Sequence, residues 1–449
     1  MASRSLSPTT PGWIVDGAPF PSAHPAGYGE SDADSEQLQP VFDPRVHLQL
    51  EPPRWIKPLI VPGGEGEGLD PGAVVFPVPV RPDAAAPGGK ARSFQAATAP
   101  PRTASHSDVP FPGMAYTASF RVLSDEGVRA MRAVIRCNEK FAKSNERTPK
   151  TLRGLGYRSK FVRDFAYSPE VLDFLSRMSG EPMHPHDMSM NIAQINFGEI
   201  GDGRPVDKWH LDSVPYVMVV LLSDATDMQG GELKVARLAD PHAALRHVQQ
   251  NTMDPRFVDT VSYPGPGHAI FMQGSRIAHG VSPVKFAREP RLTLVNSYQS
   301  RNPFVPTQTC YRTFKVQDPS DAAPCEIGRH FAWRAAGKLD YILKQGLFEA
   351  GAPQLLSVMD AAAEELRVAR EFITGQSIDE SPYQVDDTSD MYKEMLAKQD
   401  DGSRDDALCH ERGEGGRQGG GDGDGDGSRS RKGAGGPHEL KNKPPTSKL

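Results

Sequence analysis

Lys208-Trp209-His210-Leu211-Asp212 leads into an apolar run at 216–222, after which Gly230-Gly231-Glu232-Leu233 turns the chain into its next extended piece. Side chains at i and i+2 of an extended segment project to one side, so His210 and Asp212 can bind one ion without contortion of the backbone. A third ligand has to arrive on a distant strand brought alongside. His279 occupies such a place: Pro264-Gly265-Pro266-Gly267 turns, Ala269-Ile270-Phe271-Met272 reads as a strand crossing the core, and His279-Gly280-Val281-Ser282-Pro283-Val284 returns. Two imidazoles and one carboxylate cover one face of an octahedral metal ion and leave the opposite positions open.

The framework around these residues is mainly β. Short runs punctuated by Gly and Pro fall at 189–197, 216–222, 232–236, 257–263, 269–273 and 291–300, a pattern that predicts a sandwich or barrel of the jelly-roll kind. Helices flank it. Ser124-Asp125-Glu126 opens one that runs to about Phe141, with Val128, Met131, Val134 and Ile135 at helical spacing. A second runs from Pro169 to Met178, with Ser168 as its cap and Gly180 just past its end. A helical excursion at 241–250 interrupts the strands, and after Phe314 the helical period returns at 327–345 and 353–374, as a cap or a dimerisation element.

Composition divides the chain into four parts. Residues 1–108 hold nearly half of the 41 prolines and runs such as Gly63-Gly64-Glu65-Gly66-Glu67-Gly68, too little apolar surface to offset the entropy of ordering, so this region is expected to be disordered. Its apolar islands, Trp55-Ile56 and Val74-Val75-Phe76, are expected to dock on the folded part. Residues 109–315 form the β-rich domain with its support helices, 316–399 a helical extension, and 400–449 a Gly/Asp/Lys-rich tail on which no fold is expected.

The net charge of -6 gives no general attraction to nucleic acid or to anionic membrane, so a small-molecule partner is expected. No run approaches the length of an apolar membrane span. Cys137, Cys310, Cys325 and Cys409 form no CxxC pair and read as reduced thiols.

His210, Asp212, His279 and, further on, Arg291 together resemble the iron(II)- and 2-oxoglutarate-dependent dioxygenases, whose pattern is HxD, a long gap, then H and a later R. The Gly230-Gly231-Glu232-Leu233 phrase, the turn and strand before His279, and Arg291-Leu292-Thr293 are also similar to that family, over about 191–300. The resemblance implies a double-stranded β-helix, Fe(II), 2-oxoglutarate and dioxygen as cosubstrates, and succinate and carbon dioxide as coproducts, with ascorbate in support. It implies hydroxylation of a C–H bond, since halogenating relatives replace the acid ligand and Asp212 retains it. The physical reading agrees: the far carboxylate of a chelating 2-oxo acid needs a cation, and the planar Arg291 guanidinium can grip it through two parallel hydrogen bonds, with the Thr293 hydroxyl on the same strand face.

Gln194 and Asn196 alternate on the strand before the HxD turn and face one way, toward cosubstrate or substrate or as amides that satisfy the sheet. Trp209 could wall the pocket, Tyr216 and Arg301 could touch substrate, and Asn296 and Tyr298 lie on the face opposite Arg291. His184-Pro185-His186-Asp187 also gathers two imidazoles and an acid, but lacks framing turns and a downstream arginine in phase, and reads as a loop with ordinary histidines. His268 sits in the turn before a core strand, and His242 and His247 on the helical excursion face solvent.

The leading function is therefore an oxygenase acting on a small or acyl/lipid-like molecule. A protein hydroxylase, with the helices after Phe314 docking a polypeptide, and an inactive jelly-roll binding module are the alternatives. The chain ends Ser447-Lys448-Leu449, a tripeptide read by the peroxisomal import receptor when free and flexible; peroxisomal import is the expectation, a cytoplasmic location the alternative.

Overall fold

Eight strands carry the architecture of this computed structural model, which describes residues 14–23, 25, 28, 40–59, 113–144, 148–305, 309, 314, 318–345 and 351–374. They are β1 (Gln194–Gly198), β2 (Asp207–His210), β3 (Tyr216–Leu221), β4 (Leu233–Ala236), β5 (Val258–Val261), β6 (His268–Met272), β7 (Ala278–Val281) and β8 (Arg291–Ser300). All pair antiparallel, in the orders β6-β3-β8-β1 and β5-β4-β7-β2. This is the jelly roll expected from the sequence: apart from β4 and β5, which pair with each other, successive strands alternate between two sheets, so segments far apart in the chain lie side by side.

The larger sheet is buried on both faces, which explains why β3 reads as a continuous apolar run instead of an alternating one. Val217, with Ile270 and Met272, faces Leu233, Val235 and Val261 of the smaller sheet. Met218 and Val220, with Leu294 and Tyr298, face the support helices and their Val128, Met131, Val134, Phe161 and Phe174. Burial of a side chain of this size contributes on the order of 2 kcal/mol, so the layered core fixes the strand register that the site depends on.

The support helices form where the sequence places them. α1 (Asp125–Asn138) is capped by the Ser124 hydroxyl, which accepts from Gly127 N, and carries Asp125 and Glu126 in its first turn. α2 (Pro169–Ser179) ends at Gly180, whose φ of +76° suits a residue without a Cβ. Ser168 differs from expectation: its hydroxyl donates to Glu170 at 2.6 Å and makes no cap bond to the backbone. α3 (Pro241–Gln249) is capped by Asp240, and α4 (Ala322–Gln345) and α5 (Gly351–Ile373) follow the jelly roll. Helical turns at Leu155–Arg158 and Lys160–Ala166 and short strands at Met114–Thr117, Lys150–Leu152 and Met183–Pro185 are additional to those expected, and too short to show a period.

The packed unit begins earlier than residue 109. Ile56–Pro58 pairs antiparallel with Met114–Thr117 and extends the edge of the larger sheet, as the Trp55-Ile56 island suggested. Ile14 and Val15 are buried, and the Val15 carbonyl accepts from Arg301 Nε at 2.7 Å. These pieces hold through backbone hydrogen bonds to a domain already formed, a contribution that composition does not register. The Val74-Val75-Phe76 island, Cys310, Cys409, the tail 400–449 and Ser447, Lys448 and Leu449 lie outside the described residues. No helix among the described residues is long and apolar enough to cross a membrane.

Candidate metal centre

His210 closes β2, His279 lies on β7, and the two are direct partners across the strand pair, with a bulge between His279 and Val281. Asp212 follows β2 by two residues and folds back so that its carboxylate bridges the rings: His210 Nε2 is 3.2 Å from Oδ1 and His279 Nε2 is 3.4 Å from Oδ2. One ligand atom from each residue lies within 4.8 Å of the others, and this is the only such group of three among the described residues. The backbone around Gly274 shapes the turn, since its carbonyl accepts from Asp212 N at 2.9 Å and a Cβ there would collide with the Asp212 carboxylate.

Each ring is oriented from behind. His210 Nδ1 faces the Lys208 carbonyl at 2.6 Å and His279 Nδ1 faces the Ile277 carbonyl at 2.9 Å. A carbonyl can only accept, so Nδ1 carries the proton and Nε2 of a neutral ring presents a lone pair. Two lone pairs and a carboxylate then converge on one point, a place that a divalent cation fills and that a proton shared between ring and carboxylate takes in its stead. Burial opposes the charge on Asp212, but the two imidazoles outweigh it and hold the carboxyl well below the usual range. Burial likewise works against a charged His279, and Asp212 outweighs it and moves the ring upward. The donor set thus fits a metal that takes imidazole and carboxylate together.

Arg291 opens β8 and points into the same cavity, a space of about 80 Å³ that the metal-ligand set also lines. It is 1% exposed, and burial pulls its guanidinium below the usual range. Nη1 donates to Thr293 Oγ1 at 3.2 Å, while Nε and Nη2 have no hydrogen-bond partner among the described residues. A buried cation with two unsatisfied donors is costly unless an anion meets it. Room for it is made by glycines: a Cβ at Gly198, its cross-strand partner, would lie 3.1 Å from Arg291 Cβ, and one at Gly231 would lie 2.9 Å from Cδ. Gly231, at a φ of +72°, gives the Gly230-Gly231 phrase its physical role.

Gln194 and Asn196 both face the cavity, opposite Val295 and Thr293 in register. They are tied to each other, Gln194 Nε2 donating to Asn196 Oδ1 at 2.9 Å, and Asn196 Oδ1 also accepts from Thr151. Arg153 is a wall residue that the sequence did not single out. It donates to Gln194 at 2.5 Å and to Asn191, and forms an ion pair at 2.6 Å with buried Asp318, which also accepts from the Tyr28 hydroxyl. Tyr263 was missed as well: its ring lies 5.7 Å below the Arg291 guanidinium, and burial pushes its hydroxyl up to about 12. Both come from segments outside the motif, joined to it only by the fold.

Other expected contacts do not reach the cavity. Trp209 packs on the α3 side with Leu211 and Ala244. Tyr216 is on the opposite face of the larger sheet, stacked on Phe271, the face on which Asn296 and Tyr298 lie as expected. Arg301 pairs with Asp16. His184 and Pro185 belong to a short strand instead of a loop, pairing with Gln299 and Tyr298. His186 and Asp187 are fully buried, His186 stacking on His330 at 4.9 Å and Asp187 facing His330 Nδ1 at 3.3 Å, so they tie α4 to the jelly roll. His268 heads β6 with Nδ1 on the Gly265 carbonyl; His247 is exposed and His242 half-buried, away from the cavity.

Fold and site together define a jelly-roll protein with a two-histidine, one-carboxylate centre. No family model and no curated protein matches the chain. Among solved structures, it is similar to the non-heme alpha-ketoglutarate-dependent epimerase SnoN from nogalamycin biosynthesis, at 16% identity over 41% of this chain and 78% of that one, with a TM-score of 0.31. It is also similar to AviO1 from Streptomyces viridochromogenes, at 18% identity over 41% and 90% of the two chains and a TM-score of 0.31. A 2OG-Fe(II) oxygenase family oxidoreductase from Burkholderia pseudomallei matches at 16% identity over 40% and 79%, with a TM-score of 0.28.

Proposed function

We propose that this chain is an iron(II)- and 2-oxoglutarate-dependent oxygenase that hydroxylates an unactivated C–H bond of a small or acyl/lipid-like molecule. The observation that carries this reading is a single cavity that joins three converging metal ligands to a buried arginine with two donors to spare. A metal site alone would not need Arg291, and an anion site alone would not need the facing His210 and His279 rings.

His210, Asp212 and His279 would hold the iron, and Arg291 with Thr293 would hold the far carboxylate of the cosubstrate. When bound, iron and 2-oxoglutarate supply, with dioxygen, the oxidation of a C–H bond and release succinate and carbon dioxide. The chain contributes position and environment. The Lys208 and Ile277 carbonyls fix both rings, and the Asp212 charge offsets part of the metal's. Val217, Val219, Met272 and Val295 make an apolar wall that keeps water from the reacting centre and suits a carbon chain. Gln194 and Asn196, braced by Arg153, present the polar side of the same cavity.

The test is release of succinate from 2-oxoglutarate by protein supplied with Fe(II), ascorbate and candidate acyl substrates, alongside His210→Ala and Arg291→Ala. Substrate-stimulated succinate in the wild type alone supports the reading. Equal background from all three proteins with every substrate would sink it.

A further inference from the structure

α4 and α5 run antiparallel, and their facing sides are fixed by a buried ion cluster in which Glu365 accepts from Arg334 Nε at 2.9 Å and from Lys338. On α5 the residues turned inward are Val358, Ala362, Glu365, Ala369 and Phe372. A second row lies on its outer side: Leu356, Met359, Ala363, Leu366, Arg370 and Ile373 are all exposed, Leu356 and Leu366 by 56% and 52%. The steps between them are three, four, three, four and three residues, the spacing of a coiled-coil seam. α4 has an outer row of its own in Ala332, Ala336, Leu339 and Leu343, with Leu343 82% exposed. Ile373 Cδ1 sits 3.5 Å from where a Cβ of Gly328 would be, one turn before Ala332, so the two rows adjoin. A contiguous apolar face of this extent on a water-facing helix pair marks an interaction surface.

The step pattern on α5 reads identically from either end. Two copies of the helix laid antiparallel about a two-fold axis therefore bring Leu356 of one to Ile373 of the other and Ala363 to Leu366, and set the aliphatic stem of Arg370 on Met359. Along the flank, Asp360 of one copy approaches Arg367 of the second. Asp360 has no ion-pair partner of its own among the described residues, whereas Arg367 is already positioned by Glu364 and Glu371. Charge and shape are thus self-complementary. The rim of Asp360, Glu364, Arg367 and Glu371 is mixed in sign with an excess of acid, which does not suit an anionic lipid surface.

We propose that this chain forms a two-fold dimer in which the outer faces of α4 and α5 from two copies close into a four-helix seam. Each copy keeps its own ion cluster at Glu365, about a quarter turn of the helix away from the seam, and the two cavities are left to act separately.

Sedimentation of the full chain at micromolar concentrations is the test. The wild type is expected at twice the chain mass, and Leu366→Asp at the mass of one chain, with its thermal unfolding and metal binding little changed because Leu366 is 52% exposed and belongs to no core cluster of its own copy. Met359→Glu is an independent second disruption should Leu366→Asp unfold. Asp360→Arg is expected to raise the dimer dissociation constant by at least about tenfold, and Asp360→Arg with Arg367→Asp to recover most of it, which reads out the antiparallel register. A monomeric wild type, a dimer indifferent to both apolar substitutions, or no recovery in the charge swap would overturn the proposal.

Discussion

Gly274 and Asp212 share one space: the glycine carbonyl accepts the Asp212 amide at 2.9 Å, and a methyl group at Gly274 would collide with the Asp212 carboxylate. The Asp212 carboxylate is therefore seated by the absence of a side chain on a loop more than sixty residues away. The same device recurs at Gly231, which leaves the space that Arg291 fills.

Gly274→Ala is expected to weaken metal affinity by roughly 10- to 100-fold, the scale of changes that misplace a ligand without removing it. The fold should survive, because the collision is with a side chain that can swing outward. Anaerobic titration with Fe(II) or Mn(II), beside a melting curve, checks this; unaltered affinity would show that the loop adapts.

Arg291→Met is expected to abolish the thermal stabilisation that 2-oxoglutarate gives the metal-loaded protein, with cosubstrate affinity down by about 100-fold or more. Without cosubstrate, the variant should melt no lower than the wild type, because it removes a buried charge with two unpaired donors. A melting temperature that falls sharply in the absence of 2-oxoglutarate would assign Arg291 to the fold instead of the ligand.

Asp318→Asn breaks a buried pair and strands Arg153, and should cost about 3–5 kcal/mol in urea unfolding. Adding Arg153→Gln should return part of that loss, a coupling that a double-mutant cycle measures. Additive single effects would mean that the 2.6 Å pair is not the reason Asp318 is buried.

Glu326 gives a pH dependence away from the metal. Burial raises its carboxyl from 4.5 to about 7, with Arg329 and the Ser189 amide pulling the other way. The folded state then holds a proton that the unfolded chain has lost between those values, so stability falls as pH rises from about 4.5 to 7, by up to about 3 kcal/mol. Glu326→Gln, which keeps an acceptor for Ser189 N, should flatten that part of the curve. A wild-type profile that stays parallel to the variant's across this window would refute the assignment.

The sequence was most legible where one residue type does one job. The span 291–300 matches β8 because a β-rich run is bounded there by a proline and a polar turn, and His210, Asp212 and His279 meet because strand register brings them together. β2 and β7 were legible as extended only through the spacing of His210, Asp212 and His279 and not through strand propensity: each is four residues long and carries polar residues, so pairing sets its extended form. Arg153 and Tyr263 carried no local signal, since what makes them cavity residues is the approach of β1 and β8. Residues 14–23 pack because the domain offers backbone and arginine partners, which no composition of the segment itself could reveal.

Among the described residues β2 is the outermost strand of the smaller sheet, with β7 as its only neighbour in that sheet. His210 and Asp212 are at or just beyond its end and His279 is on β7, so an ion bound by the three would act as a rivet through a seam otherwise closed on one side. Amide exchange in β2 should slow on metal loading far more than in β3, which is enclosed by β6 and β8 and gains nothing from the ion. The cofactor would in that sense be part of the sheet's own fastening.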